Sequence, residues 1–377
     1  MLNTIKKIFL GKDKNPLDPK ARSSVALIAF YAWIGLGSDG LSSANYGPEE
    51  AFRSLGQYPM LGIFLALAIM MTVFIIAGAY NQVIELFPTG GGGYKVANEL
   101  LHPLAGLVSG VALLLDYVLT IAISSAAAID ALFSLLPAGW WEYRLLWQII
   151  LVLVLMILNL RGLKESIKVI MPIFLGFVIT HLIMIIAGIV MHENQIPLMF
   201  HDVSKQSAQA MHDLGGMATL LLLLKAYSLG AGTYTGLEAV SNNVNVLAEP
   251  RVKTGKLTMF YIALSLSIMA GGITLMYMLW HISPTTAHTY NATLFKEILS
   301  DVPYSNVLIL ILMLFEAGIL MLGANTGFLG GPAVLANMSI DKWVPVQFGN
   351  LSSRLVKQNG VLAMGIASIM ILLLTGG

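Results

Sequence analysis

Cysteine is absent from the 377 residues, which rules out disulfides and thiolate metal sites and leaves the redox compartment unread. Charge is scarce as well: Asp, Glu, Lys and Arg make up 11% of the chain against 57% hydrophobic residues, with a mean hydropathy of +0.79. A soluble domain of this length could not bury that much apolar surface. No basic patch or nucleic-acid motif is present, and a net charge of +1 selects no partner. Alternating apolar runs are also missing; the runs are continuous, which excludes a β-barrel. The seven histidines show no ligand spacing, so none is assigned to a metal, and no cofactor is expected.

What the sequence does hold is a series of apolar runs, each long enough for the roughly 20 residues that a spanning helix needs. We read nine spans, at about 25–50, 57–82, 103–136, 145–160, 167–191, 216–245, 257–282, 304–337 and 360–375. The basic amino-terminal region runs on into a long span containing Asp39, so it reads as a retained first span and not as a cleaved signal peptide. With the amino terminus inside, the inner segments carry 16 Lys and Arg and the outer ones 4, Lys225 within the sixth span completing the 21. This bias predicts a cytoplasmic amino terminus and insertion in the inner or plasma membrane. Trp140, Trp141, Tyr143 and Trp280 suit an aromatic belt on the outer side. The outer connection holding Pro284, Thr285 and Thr286 is expected to contain a short helix.

Two spans look broken. The first carries Gly35, Gly37 and Gly40 at mid-span, and the sixth carries Gly230, Gly232 and Gly236 with Thr233, Thr235 and Glu238 beside them. Glycine clusters weaken a helix, and nearby polar side chains satisfy the freed backbone groups. Broken spans five positions apart match an inverted five-helix repeat with its binding site at the membrane midplane. The competing view is that these glycines serve close helix packing only. The expected architecture is an all-α integral membrane fold of the LeuT-like kind. It divides into a cytoplasmic segment 1–24, a first repeat 25–191, an extracellular loop 192–215 and a second repeat 216–377, incomplete after about nine spans.

A broken helix offers the positive end of one half-helix and the free carbonyls of the other. Asp39 places a resident carboxylate there, which favours a cation that has no carboxylate of its own. An acid at this depth costs about 2.5–3.5 kcal/mol on insertion scales, so it implies a partner charge or a function. In the third span Asp116, Thr120 and Ser124 fall at i, i+4 and i+8 on one helix face, with Tyr117 beside them. One carboxylate and two hydroxyls are hard donors suited to a dehydrated alkali cation. Alternatively the hydroxyls bond back to their own helix. Glu238 has no basic residue near it in sequence, and we expect it to carry a proton; the alternative is a neutral packing role. Asp130 and Lys225 are expected to pair near the outer ends of their spans. Glu316, near Gly318 and Gly323 with Asn325 and Thr326 following, is a further candidate for ion or proton passage.

These segments carry a resemblance. FPTGGGGYKVANELLHPLAG at 87–106 and NLRGLKESIK at 159–168 are similar to elements of the amino acid–polyamine–organocation superfamily. GSDGLSSANYGPEEA, LLDYVLTIAISSAAA, TGLEAVSNNV and ANTGFLGGPAVLANMSIDKWVPVQFGNLSSRLV resemble the bacterial potassium importers of the KimA type. The resemblance implies proton-coupled potassium uptake. It implies potassium held by Asp39, Tyr46, Thr120, Ser124 and Thr235, with Asp116 and Tyr117 adjoining and Glu238 coupling the proton. It also implies ten core spans followed by two more and a soluble domain, whereas this sequence stops after the ninth. The alternative within the superfamily is an amino-acid or organic-cation (polyamine) permease. An intramembrane aspartyl hydrolase using Asp39 and Asp116 fits poorly, because the Gly-x-Gly-Asp spacing is one residue too long; a sensor is the remaining reading. The partners expected are potassium and the bilayer, with oligomeric state left open, a homodimer included.

Overall fold

The computed structural model describes residues 26–136, 138–282 and 289–377, with the backbone alone at Ala138 and at 163–169. The amino-terminal segment 1–24 and Pro284, Thr285 and Thr286 lie outside the described residues. Among the described residues every regular element is a helix.

The first span is in three pieces, α1 (Ala29–Leu36), α2 (Ser38–Ser43) and α3 (Gly47–Arg53). The second is α4 (Gly62–Leu86). After it come α5 (Gly92–Val96), a π turn (Ala97–Leu101) and α6 (Pro103–Phe133), the third span. α7 (Arg144–Arg161) and α8 (Leu163–Met191) are the fourth and fifth, and α9 (Ile196–Leu214) follows. The sixth span consists of α10 (Gly216–Leu229), a 3-10 turn (Gly230–Tyr234) and α11 (Ala239–Asn242). α12 (Arg251–Leu279), α13 (Tyr290–Ile298), α14 (Ser305–Ile340) and α15 (Gln358–Thr375) complete the chain. We call the side where the first span begins the near face and the opposite side the far face.

Among the described residues seven helices are long and apolar enough to cross a membrane, and Glu193–Leu214 with Gly216–Asn242, bent by 116°, adds an eighth candidate. Nine spans were expected. The first is missing from this count because its pieces, of 8, 6 and 7 residues, are each too short alone. The connection 192–215, expected as a loop, is largely α9. This helix is amphipathic and buries Met199, Val203 and Ala210. It is fastened to the far end of the second span, where Met60 N–H donates to Gln206 Oε1 (2.9 Å) and the Tyr58 hydroxyl to Asp213 Oδ2 (3.2 Å). α13 occupies the far connection where a short helix was expected.

α12 packs along α4, and α14 along α6. The second pairing depends on small residues. A Cβ on Gly327 would lie 2.6 Å from Ile121 Cγ1 and 2.8 Å from the Tyr117 carbonyl, and one on Gly330 would enter the Tyr117 ring. The outer surface stays apolar: Leu67, Met71 and Ile75, four apart on α4, are all exposed. At about 25 cal/mol per Å² such stripes are costly in water and cost nothing in hydrocarbon. The chain is a multi-pass membrane protein.

The near face is tied by two devices. Leu27 N–H donates to Val246 O (2.9 Å) and Ala248 N–H to Leu27 O (2.8 Å), joining the entry of the first span to the exit of the sixth. Gly90, Gly91 and Gly92 all have positive φ (87°, 115° and 49°), which only glycine adopts without strain. A Cβ on Gly90 would also stand 2.8 Å from the Asn242 carbonyl, so this loop seats against the end of α11. Tyr94, fully buried, donates to Asp341 Oδ2 (2.6 Å) at the end of α14. The glycine-rich motif is thus a structural clasp. On the far face Asp130 pairs with Arg144 (3.4 Å) and not with Lys225, which is exposed. The corner between α6 and α7 is short enough to put Arg144, the first residue of α7, beside the last turn of α6.

Candidate ion-binding site

The first and sixth spans are unwound where they cross. In the first, Gly35 lies inside α1, and Gly37 only kinks the helix, since Leu41 N–H still donates to Gly37 O (3.1 Å). The chain leaves helical structure later, between Ser43 and Gly47. In the sixth, the backbone tightens over Gly230–Tyr234, extends at Thr235 (φ −62°, ψ 148°) and turns through Gly236 at φ +83° before α11. The two unwound segments touch. The Ser43 hydroxyl reaches the Gly40 carbonyl (2.6 Å) and the Thr233 carbonyl (3.0 Å). A Cβ on Gly232 would be 3.0 Å from the Tyr46 ring, and one on Gly230 would be 2.8 Å from Ala51 Cβ. Glycine at these positions allows contact between backbones, which places Tyr46 against Gly232 and Asp39 against Gly236.

Asp39 is wholly buried and neither carboxylate oxygen has a hydrogen-bond partner. Thr235 lies beside it, but the Thr235 hydroxyl donates to the Gly232 carbonyl (2.9 Å). Asp116 and Glu238 are near enough for their charges to act on Asp39. Tyr46 adjoins the Thr235 and Ser124 hydroxyls. Thr120 and Ser124 are buried on one face of α6, and Ser124 Oγ has no partner. Glu238 Oε1 is also buried and unpartnered. The expected residues from the first, third and sixth spans therefore gather in one region. The three acids act on one another by charge without converging. Among the described residues no three carboxylates or imidazoles come close enough to hold a metal ion together. An oxygen-rich environment of this kind, with one carboxylate at its centre, suits a monovalent hard cation better than a divalent metal.

Two neighbours were not expected. Tyr80 of α4 lies near Glu238 and Asp116, and Tyr80-Asn81-Gln82 in an otherwise apolar span was the available signal. Asn242 donates its side-chain N–H to the Tyr117 hydroxyl (2.7 Å), linking α11 to α6. Tyr117→Phe leaves that buried amide without its acceptor, at about 1–3 kcal/mol. We expect a fall of several degrees in melting temperature; an unchanged value would show the bond to be dispensable.

An amino acid permease family model matches residues 22–377. The potassium transporter KimA of Bacillus subtilis (strain 168) is 35% identical over 383 residues, covering 100% of this chain and 61% of that protein. This chain thus spans about three fifths of the length of that relative. Among solved structures, a Na+-coupled sialic acid symporter in a substrate-bound outward-open state superposes with a TM-score of 0.54 at 13% identity, over 99% of this chain and 79% of its own. That likeness extends to the fold alone. The relatives are membrane transporters and not enzymes. Two broken spans crossing at a buried carboxylate, a LeuT-like helical fold and a family match from residue 22 to 377 lead to one assignment: the chain belongs to the amino acid permease family, within the amino acid–polyamine–organocation superfamily.

Proposed function

We propose that the chain carries out proton-coupled potassium uptake by alternating access, in the cytoplasmic membrane, with its near face cytoplasmic. The observation that carries this reading is Asp39: a buried, unpartnered carboxyl at the crossing of two unwound spans, with the Thr235 hydroxyl beside it. Potassium is held by Asp39, Tyr46, Thr120, Ser124 and Thr235, with Asp116 and Tyr117 adjoining. Glu238 binds the coupled proton. The first, second, sixth and seventh spans, arranged as members of an inverted repeat, then rock against the third, fourth, fifth and eighth. The tight glycine contacts at the crossing favour a bare ion over an organic side chain, and the resemblance to a potassium transporter supports the same choice.

The test is rubidium uptake into proteoliposomes with and without an inward proton gradient. Uptake that rises with the gradient, competes with potassium and ignores amino acids and polyamines is the expected result. Competition by an amino acid or polyamine in place of potassium would replace this reading with the organic permease.

A further inference from the structure

A second buried polar centre lies toward the far face, away from the helix crossing. His181 of α8 and Glu316 of α14 are 1% and 2% exposed, and His181 Nε2 stands 3.8 Å from Glu316 Oε2. The hydrogen bonds around the ring fix its tautomer. Nδ1 faces the Phe177 carbonyl (3.1 Å), which can only accept. It also faces Thr180 Oγ1 (3.3 Å), whose own hydrogen is directed to the Gly176 carbonyl (2.7 Å). Nδ1 therefore carries the N–H. In the neutral ring Nε2 is then a bare lone pair aimed at a carboxylate oxygen, and it has no hydrogen-bond partner. Two acceptors facing each other in a dry interior repel unless a proton sits on one of them.

The centre is roofed by α13. Asn291 and Phe295, four residues apart on one face of that helix, both press on it. Asn291 Nδ2 lies 3.3 Å from Glu316 Oε2 and 3.3 Å from Asn45 Oδ1, and its Oδ1 accepts from the Tyr277 hydroxyl (2.5 Å). Phe295 meets the His181 ring edge-on at 5.2 Å, and the Phe177 ring lies 4.0 Å from it. The other titratable groups facing the centre are Glu49 and Arg53 of α3, Tyr277 of α12 and Tyr290 of α13. Glu49 is engaged by Arg53 (2.5 Å) and by the Tyr290 N–H (3.2 Å), but its charge still acts on Glu316.

We propose that His181 and Glu316 form a proton-binding site, distinct from the ion site at Asp39, whose occupancy holds α13 down over the far side of the carrier. With the proton present, Nε2 and the carboxyl share it, and the centre beneath Asn291 and Phe295 is satisfied. Without it, a carboxylate that accepts from the Asn291 amide still faces a lone pair and the neighbouring Glu49, and hydration relieves both. Hydration requires α13 to lift. The far side thus closes as protons bind and opens as they leave. This rests on the reading of the chain as a carrier with a far-side gate; it does not depend on which cation crosses, nor on Glu238.

The absence of native cysteine makes the test direct. Ala292 of α13 is 2% exposed and Ser300, just beyond the helix, is exposed. Ala292→Cys and Ser300→Cys are labelled separately with a membrane-impermeant maleimide in proteoliposomes free of transported ion. The ratio of the two rates cancels the intrinsic pH dependence of thiol reactivity. Between about pH 5 and about pH 8, the ratio is expected to rise at least several-fold. Adding Glu316→Gln, whose amide donates permanently to Nε2, should hold the ratio low and flat. A ratio that ignores pH in the otherwise native chain overturns the proposal, whether or not the variant folds. A Glu316→Gln chain that keeps the native pH response overturns it too. Because no ion is transported, either outcome is separate from the fate of the potassium reading.

Discussion

Asp39→Asn should abolish rubidium uptake, by at least about a hundredfold, while raising the melting temperature by a few degrees. The two effects have one cause. Asp39 is a buried carboxyl with no hydrogen-bond partner, placed near Asp116 and Glu238. An uncompensated charge in such a place costs several kcal/mol. Asparagine keeps the shape and removes the like-charge crowding, so the fold relaxes. On the proposed assignment the same substitution removes the charged ligand of the ion, and a hundredfold loss corresponds to about 2.7 kcal/mol, within the range for deleting one member of a charged contact. A third measurement separates this from general damage. Potassium at about 100 times its dissociation constant should stabilise the native chain by about 2.7 kcal/mol, seen as a rise in melting temperature, and should leave Asp39→Asn unmoved. Potassium protection that survives the substitution would place the ion elsewhere.

The second large effect is at Gly236. Its φ of +83° is a conformation that a side chain resists, at roughly 1–3 kcal/mol. An added Cβ would also stand 2.6 Å from Asp39 Cβ, 2.7 Å from Gly40 N and 2.8 Å from Asp39 Cγ. None of these is the end of a flexible chain that could swing aside, and overpacking of this kind adds about 1–3 kcal/mol. Gly236→Ala should therefore lose uptake and lower the melting temperature by many degrees. Gly56→Ala is the matched control, with φ +57° and nothing within 4 Å of its Cβ. It should show the backbone cost alone and retain transport. Equal behaviour of the two variants would mean that the approach of Gly236 to Asp39 is not needed.

The contrast between these glycines shows what could be read in the sequence and what could not. Spans were legible because an apolar run of spanning length has few alternatives. The polar, glycine-rich first and sixth spans stood out against that background, and so did the oxygen-bearing face of the third. Where the backbone unwinds was less legible. Gly35 and Gly37 looked like break points, yet local hydrogen bonding carries the helix past them, and the chain departs only after Ser43. Polar partners distant in sequence were not legible at all. Asp130 finds Arg144, not Lys225, because a short corner decides the neighbour. His181 was set aside with the other histidines for want of ligand spacing, although it sits within the fifth apolar run; its partners Glu316 and Phe295 lie more than a hundred residues along the chain. α9 was taken for a loop because an amphipathic surface helix has no continuous apolar run to betray it.

The pair of backbone hydrogen bonds between Leu27 and the stretch Val246–Ala248 has a mechanical consequence. It yokes two half-helices that a rocking carrier would otherwise be free to swing one at a time. A tilt of either must tug its counterpart, so under the proposed alternating access the two would move as a common hinge with its axis near this tether, with separation of the two ends disallowed while the bonds last. The lever arm is then longest at the opposite face, which is where α13 sits.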